Sequence, residues 1–526
     1  MRNEKLLDCT LRDGGYINDW EFGTHTIRDI LKKLVESNVD YVEVGFLRDC
    51  EYISDKTLFN CCADIANVLP EDKGNTLFSA MALHNRYDIN KLEPYDGKTI
   101  DVIRVTFHDY DIEEGLEYIR RVKEKGYKVF CNPINIMGYS DSKLIKLLNR
   151  VNEIKPYGFS IVDTFGSMLK SDLQRIYLLT EHILDKSIVI GLHLHENLGL
   201  SYSLAQEFLS LKSSERRCII DGSMFGMGRS PGNLCLELIM NYMNNNLGSS
   251  YDTNPILDGI DDHIMKIRRI EAWGYNTAYS LSAKYNLHRN YAEFLLNKGR
   301  LRAKQINQIL SCIDDDKKTA YDENYAEALY ESFQNNEVDD SEIIDRLKSE
   351  LASRSILILA PGESISKQKD KVIEFIEEEK PIVVSANFVP TEYLQDYVFF
   401  SNEMRYSAIE GKLPSNVIIT SNLSTQQDGV YVINYADVCL GNGPKCDNSV
   451  IMLIRLMIRL SKKRVYVAGF DGYSPDGSNY VDSYMMSQHT KGEEENRRNR
   501  RLISDIRKLI DVSFITDSLY EIEEDE

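Results

Sequence analysis

Short apolar runs that return about every thirty residues dominate the first 250 positions, and they constrain the fold more than any other feature. They read as strands near 4–9, 40–46 (DYVEVGF), 76–82 (TLFSAMA), 101–107 (DVIRVTF), 127–132 (YKVFCN), 158–163 (GFSIVD), 187–194 (SIVIGLHL) and 217–221 (RCIID). Amphipathic stretches such as THTIRDILKKLVESN and EEGLEYIRRVKEKG lie between them. Near-continuous apolar strands joined by helices imply parallel strands covered by helices. Eight such units predict an α/β fold, a closed (β/α)8 TIM barrel. An open doubly wound sheet is the alternative pattern.

At roughly 150 residues per domain, 526 residues leave room for more than this barrel. Positions 1–248 are expected to form the barrel and 249–312 a helical extension of it. The acidic, apolar-poor stretch 313–350 reads as a helical linker. A second α/β pattern follows over 351–526, with SILILA, PIVVSANF, YVFFS, NVIIT, GVYVINYA and RVYVAGFDGYS as strands and SVIMLIRLMIRLSKK as a long apolar helix. That predicts a Rossmann-like domain.

A net charge of −20 argues against nucleic acid and anionic membrane as partners, because both require a basic footprint. No apolar run approaches the roughly 20 residues of a membrane span, and the polar start, MRNEKLLDCT, is unlike a signal peptide. The ten cysteines form no C-x-x-C pair and read as reduced thiols of a cytoplasmic protein.

Chemistry in such a barrel gathers at the C-terminal ends of the strands. Arg12 and Asp13 stand there after the first strand, Glu43 in the second, His84 after the third and His108 after the fourth. Asn132 ends the fifth, Asp163 the sixth and Asp221 the eighth, while His193 and His195 lie on the seventh and Asn233 in the loop after the eighth. Side chains two apart on a strand point the same way. Two imidazoles on one face, with Asp13 from the first strand, can make a two-histidine, one-carboxylate site with open positions. Completion by Asn233 and water favours Mn²⁺ or Mg²⁺ over Zn²⁺ or Co²⁺. Arg12 supplies a fixed cation beside the ion, and Gly14-Gly15 is expected to turn the backbone sharply and leave room for a small ligand.

The motifs LDCTLRDGGY, DYVEVGF, IVDTFG, HLHENLGLS and GMGRSPGN, in this order, resemble the metal-dependent pyruvate aldolase and acyltransferase superfamily, which includes 4-hydroxy-2-oxovalerate aldolase, hydroxymethylglutaryl-CoA lyase and isopropylmalate synthase. The resemblance spans residues 1 to about 310. It implies Asp13, His193 and His195 as metal ligands, Asn233 as a fourth ligand, and Arg12 as the group that stabilises an enolate. It implies that Glu43 and Asp163 position substrate or shuttle protons. The substrate would be a 2-oxo acid such as pyruvate, joined to an aldehyde. HLHENLGLS followed by YSLAQ is closer to the aldolase branch than to a Claisen-type acyltransferase using acetyl-CoA.

One position departs from the resemblance: Tyr16 stands where the hydroxyoxovalerate aldolases carry a histidine. A tyrosine of ordinary pKa, about 10, is a poor base at neutral pH. Tyr16 is therefore expected to donate a hydrogen bond to substrate while His108 or His84 acts as base. A reading of another class makes the barrel an inactive scaffold or sensor, against which the complete ligand set argues.

In the second domain, LILAPGESIS places a turn between strand and helix, where backbone N–H groups can meet a phosphate. Together with YVFFSNEMRY, GNGPKCDNSV and VAGFDGYSPDG it resembles Rossmann-like domains of surface-polysaccharide proteins and of the pterin diphosphokinase type. A nucleotide or phosphosugar is the expected ligand, with Gly362, Ser364, Arg405, Asn442 and Asp471 as contacts, and a sugar-like aldehyde and a role in glycan building follow by juxtaposition. Self-association as a homo-oligomer is a further expectation.

Overall fold

In a computed structural model of the chain, the N-terminal apolar runs form eight parallel strands. These are β1 Glu4–Asp8, β2 Tyr41–Leu47, β3 Leu77–Leu83, β4 Val102–Phe107, β5 Lys128–Pro133, β6 Gly158–Asp163, β7 Val189–Leu194 and β8 Cys218–Gly222. They pair in the order β1-β8-β7-β6-β5-β4-β3-β2, and β2 returns to β1, so the sheet closes. The closing seam is short: Leu7 faces Tyr41 and Asp8 faces Val42, whereas five residues of β1 are in register with β8. A two-residue strand, Leu58–Phe59, adds to β2. The structure describes residues 3–229, 231–409, 416–425, 428–440, 444–474, 479–481, 485 and 492–521.

The strand period of two sorts the side chains. Leu7, Tyr41, Val102, Phe130, Val189 and Ile219 pack together as one apolar layer inside the barrel. Their neighbours in sequence, Leu6, Val42, Ile103, Val129, Ile190 and Ile220, pack outward against helices such as Thr24–Glu36 and Ile112–Glu124. Two residues beyond the inner layer, on the same face, stand Glu43, Arg104, Asn132 and Asp221, all buried. His193 stands four beyond Val189. Alternation alone thus lifts a polar layer above an apolar plug.

The chain divides into two compact units: one of residues 1–293 with 313–321, the other of residues 294–312 with 322–526. The helical stretch 249–312 is therefore shared. Arg300 explains part of this, because its buried guanidinium donates to the carbonyls of Ser401 and Asp447 within the second unit. The acidic stretch also does more than connect. Its helix Ser341–Glu350 buries Ile344 and Leu347, with Leu351 beyond, in the second unit's core.

The second unit holds a seven-stranded parallel sheet: β9 Ile356–Leu359, β10 Ile382–Ala386, β11 Tyr397–Phe400, β12 Val417–Thr420, β13 Tyr431–Ile433, β14 Arg464–Ala468 and β15 Asp511–Phe514. The order is β13-β12-β11-β10-β9-β14-β15. Both faces are covered. Ile356 and Ile358 pack with helix Ser449–Arg459, and Leu357 and Leu359 with Val372 of helix Lys369–Glu379. The strand order reverses between β9 and β14, the kind of point where open α/β sheets bind ligands.

Candidate metal centre

After β1 the backbone makes one helical turn, Thr10–Asp13, whose first buried residues fix the direction of Arg12 and Asp13. The Gly14-Gly15 pair continues helically rather than turning sharply: Gly14 has φ −60° and ψ −28°. Small residues are needed there because a Cβ on Gly14 would stand 2.2 Å from the Thr10 carbonyl oxygen, and one on Gly15 2.0 Å from the Trp20 ring. The space expected for a ligand is filled by the chain itself. Trp20 Nε1 in turn donates to the Arg12 carbonyl at 2.8 Å.

Asp13, His193 and His195 converge. One ligand atom from each lies within 4.8 Å of the others, and all three residues are buried. The second atom of each imidazole is occupied in a way that orients the first. His195 Nδ1 donates to the Gly232 carbonyl at 3.2 Å, and His193 Nδ1 meets Asp221 Oδ2 at 3.0 Å. Both Nε2 atoms are thereby left for an ion, the arrangement of metal-ligating histidines. Asn233 Nδ2 donates to Asp13 Oδ2 at 2.8 Å, while its buried Oδ1 has no partner.

The surrounding charges form a chain. Arg12 bonds to Asp13 and, at 2.7 Å, to Glu43 Oε2; Arg104 reaches Glu43 Oε2 at 3.2 Å and bonds to Asp221. Asn132, with its amide oxygen turned toward Arg104, accepts from it at 2.9 and 3.2 Å. Within this bonded chain three carboxylates, Asp13, Glu43 and Asp221, meet two guanidiniums. Burial works against a charged Asp13, but Arg12, with His195 and His193, outweighs it and holds the carboxyl well below the usual range. Burial pushes His195 down to about 3 against the pull of Asp13, so the imidazole is neutral, as a ligand must be. The donor set and the orphaned Asn233 oxygen both fit a divalent metal.

A second group of donors, Asp29, Asp262 and His263, contrasts with this one. Lys33 Nζ already lies 3.7 Å from Asp29 and 3.5 Å from Asp262, and His263 Nε2 is 2.7 Å from Asp29. Its charge is answered from within the chain.

Other expected residues are placed as follows. Tyr16 is 37% exposed and packs edge-on against Trp20 and Phe46. Asp163 is buried, and its carboxylate accepts from the Ser167 and Met168 N–H groups at 2.9 and 3.1 Å; burial pushes its pKa up to about 7. His84 Nε2 is 2.8 Å from Asp111 Oδ2, whereas His108 Nδ1 has no hydrogen-bond partner among the described residues and its ring stacks on Tyr110. None of these four is joined to the triad by a hydrogen bond among the described residues.

In the second unit, Gly362 and Ser364 follow β9. The Ser364 N–H is already given to Asp471 Oδ2 at 2.8 Å, and Ser364 Oγ bonds to Asp471 and to Thr516. A carboxylate of the chain thus occupies the amide that a phosphate would use. Arg405 donates to the Met485 carbonyl and lies 5.2 Å from the Tyr480 ring centroid. Asn442 lies outside the described residues.

Sequence reasoning missed Arg104 and the part played by Asp221. A charged residue inside the apolar run DVIRVTF was the available signal, since a buried arginine requires partners. It also missed Arg229, whose Nη2 lies 3.3 Å from His288 Nε2.

Residues 102–262 match the family model described as HMGL-like. A protein named oxaloacetate decarboxylase from Mycobacterium tuberculosis is 22% identical over 247 residues, 45% of this chain and 69% of its own length. A 4-hydroxy-2-oxovalerate aldolase from Marinomonas sp. is 25% identical over 272 residues, 50% of this chain and 78% of its own. Among solved structures, the HMG-CoA lyase from Brucella melitensis is 13% identical and aligns with a TM-score of 0.40, covering 49% of this chain and 96% of its own. The family model and the relatives support a lyase of a kind that uses a divalent metal. No helix among the described residues is long and apolar enough to cross a membrane.

Proposed function

We propose that this chain, whose residues 102–262 match the HMGL-like family model, is a divalent-metal-dependent aldolase that cleaves or forms a 4-hydroxy-2-oxo acid through a pyruvate enolate. The convergence of Asp13, His193 and His195 beside the Arg12 guanidinium carries the reading. In this reading Asn233 Oδ1 is the fourth donor and the ion is Mn²⁺ or Mg²⁺, matched to a site of oxygen and imidazole ligands. When bound, the metal supplies Lewis-acid polarisation of the 2-oxo acid.

The chain's own residues do the rest. Arg12 is a cation held in place by Glu43 on one side and Asp13 on the other, so it need not reorganise as enolate charge develops. Arg104 supports the same geometry from below by tying Glu43 to Asp221, the residue that orients His193. Tyr16 is reachable by substrate and donates a hydrogen bond to it. His108, whose Nδ1 lies 3.6 Å from Asp111 Oδ2 and makes no hydrogen bond among the described residues, takes the proton of the 4-hydroxyl in the cleavage direction, while His84 is held by Asp111 at 2.8 Å. Asp163 shapes the loop after β6 and stands near its protonation midpoint at neutral pH. Ten free thiols accord with a reducing, cytoplasmic setting.

The test is exchange of the pyruvate methyl hydrogens for deuterium by the Mn²⁺-loaded protein, followed by release of pyruvate from 4-hydroxy-2-oxovalerate. Exchange that depends on added metal is expected, and its absence would sink the proposal. A second reading is favoured by the relative named oxaloacetate decarboxylase: loss of CO₂ from oxaloacetate yields the same enolate, and faster turnover of oxaloacetate than of any hydroxy-oxo acid would select it. Consumption of acetyl-CoA would instead select acyl transfer.

A further inference from the structure

Arg229 stands beside the triad, within the field of Asp13, yet among the described residues no carboxylate forms an ion pair with it. The preceding residue, Gly228, lies so close to the metal ligand that an added Cβ would be 2.8 Å from Asp13 Oδ2. The Arg229 guanidinium is 5.5 Å from the centroid of the Tyr16 ring. Its Nη2 reaches two uncharged groups, His288 Nε2 and Asn290 Oδ1, each at 3.3 Å. Its Nε is buried and without a hydrogen-bond partner. Burial, reinforced by Arg229 and Arg289, pushes His288 down to about 3, so this imidazole is neutral near pH 7.

Arg289 adds a second guanidinium. It is half-buried, its Nε has no hydrogen-bond partner among the described residues, and its carboxylate neighbour is Glu293, at 3.7 Å, on the helix Asn290–Asn297 that follows it. Burial and the Arg289 charge together lower the pKa of Arg229. Among the described residues no ion pair joins Arg229 to a carboxylate. Two like charges therefore share a partly desolvated wall of the site, an arrangement that is unfavourable unless an anion completes it. The guanidinium fork suits carboxylate and phosphate oxygens equally. Contact with the Tyr16 ring compensates weakly for a missing anion.

The 2-oxo acid end of a substrate belongs to the Asp13–His193–His195 end of the site. We propose that Arg229, backed by Arg289, is a subsite for a second anionic group at the far end of the substrate, so that the aldehyde partner carries a carboxylate or a phosphate instead of ending in a neutral alkyl or sugar group. The inference rests on the aldolase reading above. It adds a selectivity that the metal centre cannot supply, because the metal centre treats all 2-oxo acids alike.

Binding separates the two proposals. The full-length, Mn²⁺-loaded protein is titrated calorimetrically with 2-oxoglutarate against 2-oxovalerate, and with 2-oxoadipate against 2-oxohexanoate, pairs that differ only in a distal carboxylate. In at least one pair the dicarboxylate is expected to bind about ten-fold tighter, Arg229→Gln to reduce that ratio to about two-fold or less, and Arg229→Lys to restore most of it. A 4-phosphono-2-oxobutanoate arm tells the source apart: tighter binding than 2-oxoglutarate assigns the subsite to phosphate, weaker binding to carboxylate. Equal affinities within both pairs, a preference that survives Arg229→Gln, or no binding of any of these acids overturns the subsite. Pyruvate methyl exchange by the same wild-type sample reports on the aldolase reading alone: exchange without a dicarboxylate preference removes the subsite and leaves the aldolase, whereas preference without exchange does the reverse.

Discussion

The barrel and the second sheet both end their parallel strands in polar loops, but the polar groups differ in what they face. Around the triad, the Nε2 atoms of His193 and His195 are left over after their Nδ1 atoms are used, and Asn233 Oδ1 and Arg229 Nε have no partner. Where the order of the second sheet reverses, Ser364, Asp471, Thr516 and Gly469 satisfy one another and Arg405 is spent on a carbonyl, although Ser385 Oγ on the neighbouring strand β10 is buried without a partner. Buried polar groups are normally paired. A concentration of unpaired ones therefore marks where something outside the chain is held, and position at a strand end alone does not.

The sharpest way to break this comparison is to remove a donor from each place. His193→Ala should weaken Mn²⁺ binding, read by calorimetry, by more than about 100-fold, beyond the range for an outer residue, and should take metal-dependent pyruvate exchange to background. Arg12→Gln should keep the metal and slow exchange by roughly 10²–10³-fold, the range for losing one donor to a developing oxyanion. Asp221→Asn disturbs only the orientation of His193 and its tie to Arg104; Mn²⁺ affinity should fall by about 10–100-fold. If these three variants behaved like wild type, the open donors of the barrel would be no more functional than the closed ones of the second sheet.

Asp163 and Asp471 sharpen the contrast further: Asp163 is gripped by the Ser167 and Met168 N–H groups, Asp471 by the N–H and hydroxyl of Ser364, and each is pushed upward by burial. Asp163 titrates near 7 in the folded chain against an ordinary value of 3.8. Folding thus favours its protonated form, and the stability it contributes is complete below about pH 4 and is lost as pH rises toward 7. Asp163→Asn stays uncharged, so denaturant unfolding should show wild type losing up to about 4 kcal/mol relative to this variant across that window. Asp471→Asn should have the smallest effect, about 1 kcal/mol in unfolding of the second unit, with Mn²⁺ binding and pyruvate exchange unchanged.

Much of the barrel and its triad was legible because the signals are local. Apolar runs of the right length specify parallel strands, and an H-x-H on one of them points two imidazoles the same way. Asp13 was legible only in combination, as a carboxylate at another strand end. What escaped depends on contacts that sequence spacing does not show. The Gly14-Gly15 pair reads as a turn, but the Trp20 ring and the Thr10 carbonyl decide its conformation. Asp471 reads as a ligand contact, but Ser364, more than one hundred residues away, uses its carboxylate. Arg229 sits in a glycine-rich loop where a cation is unremarkable until its hydrogen-bond partners prove uncharged.

The short seam between β1 and β2 has a consequence for synthesis. Strand β1 is made before the other strands of the barrel, yet the partner that matches all five of its residues, β8, is encoded some two hundred positions later. At roughly 5–20 residues per second, β1 waits on the order of ten to forty seconds with one edge bare. For that interval Asp13 has no imidazole to meet, and the growing chain must shelter an open edge from its neighbours on the same messenger.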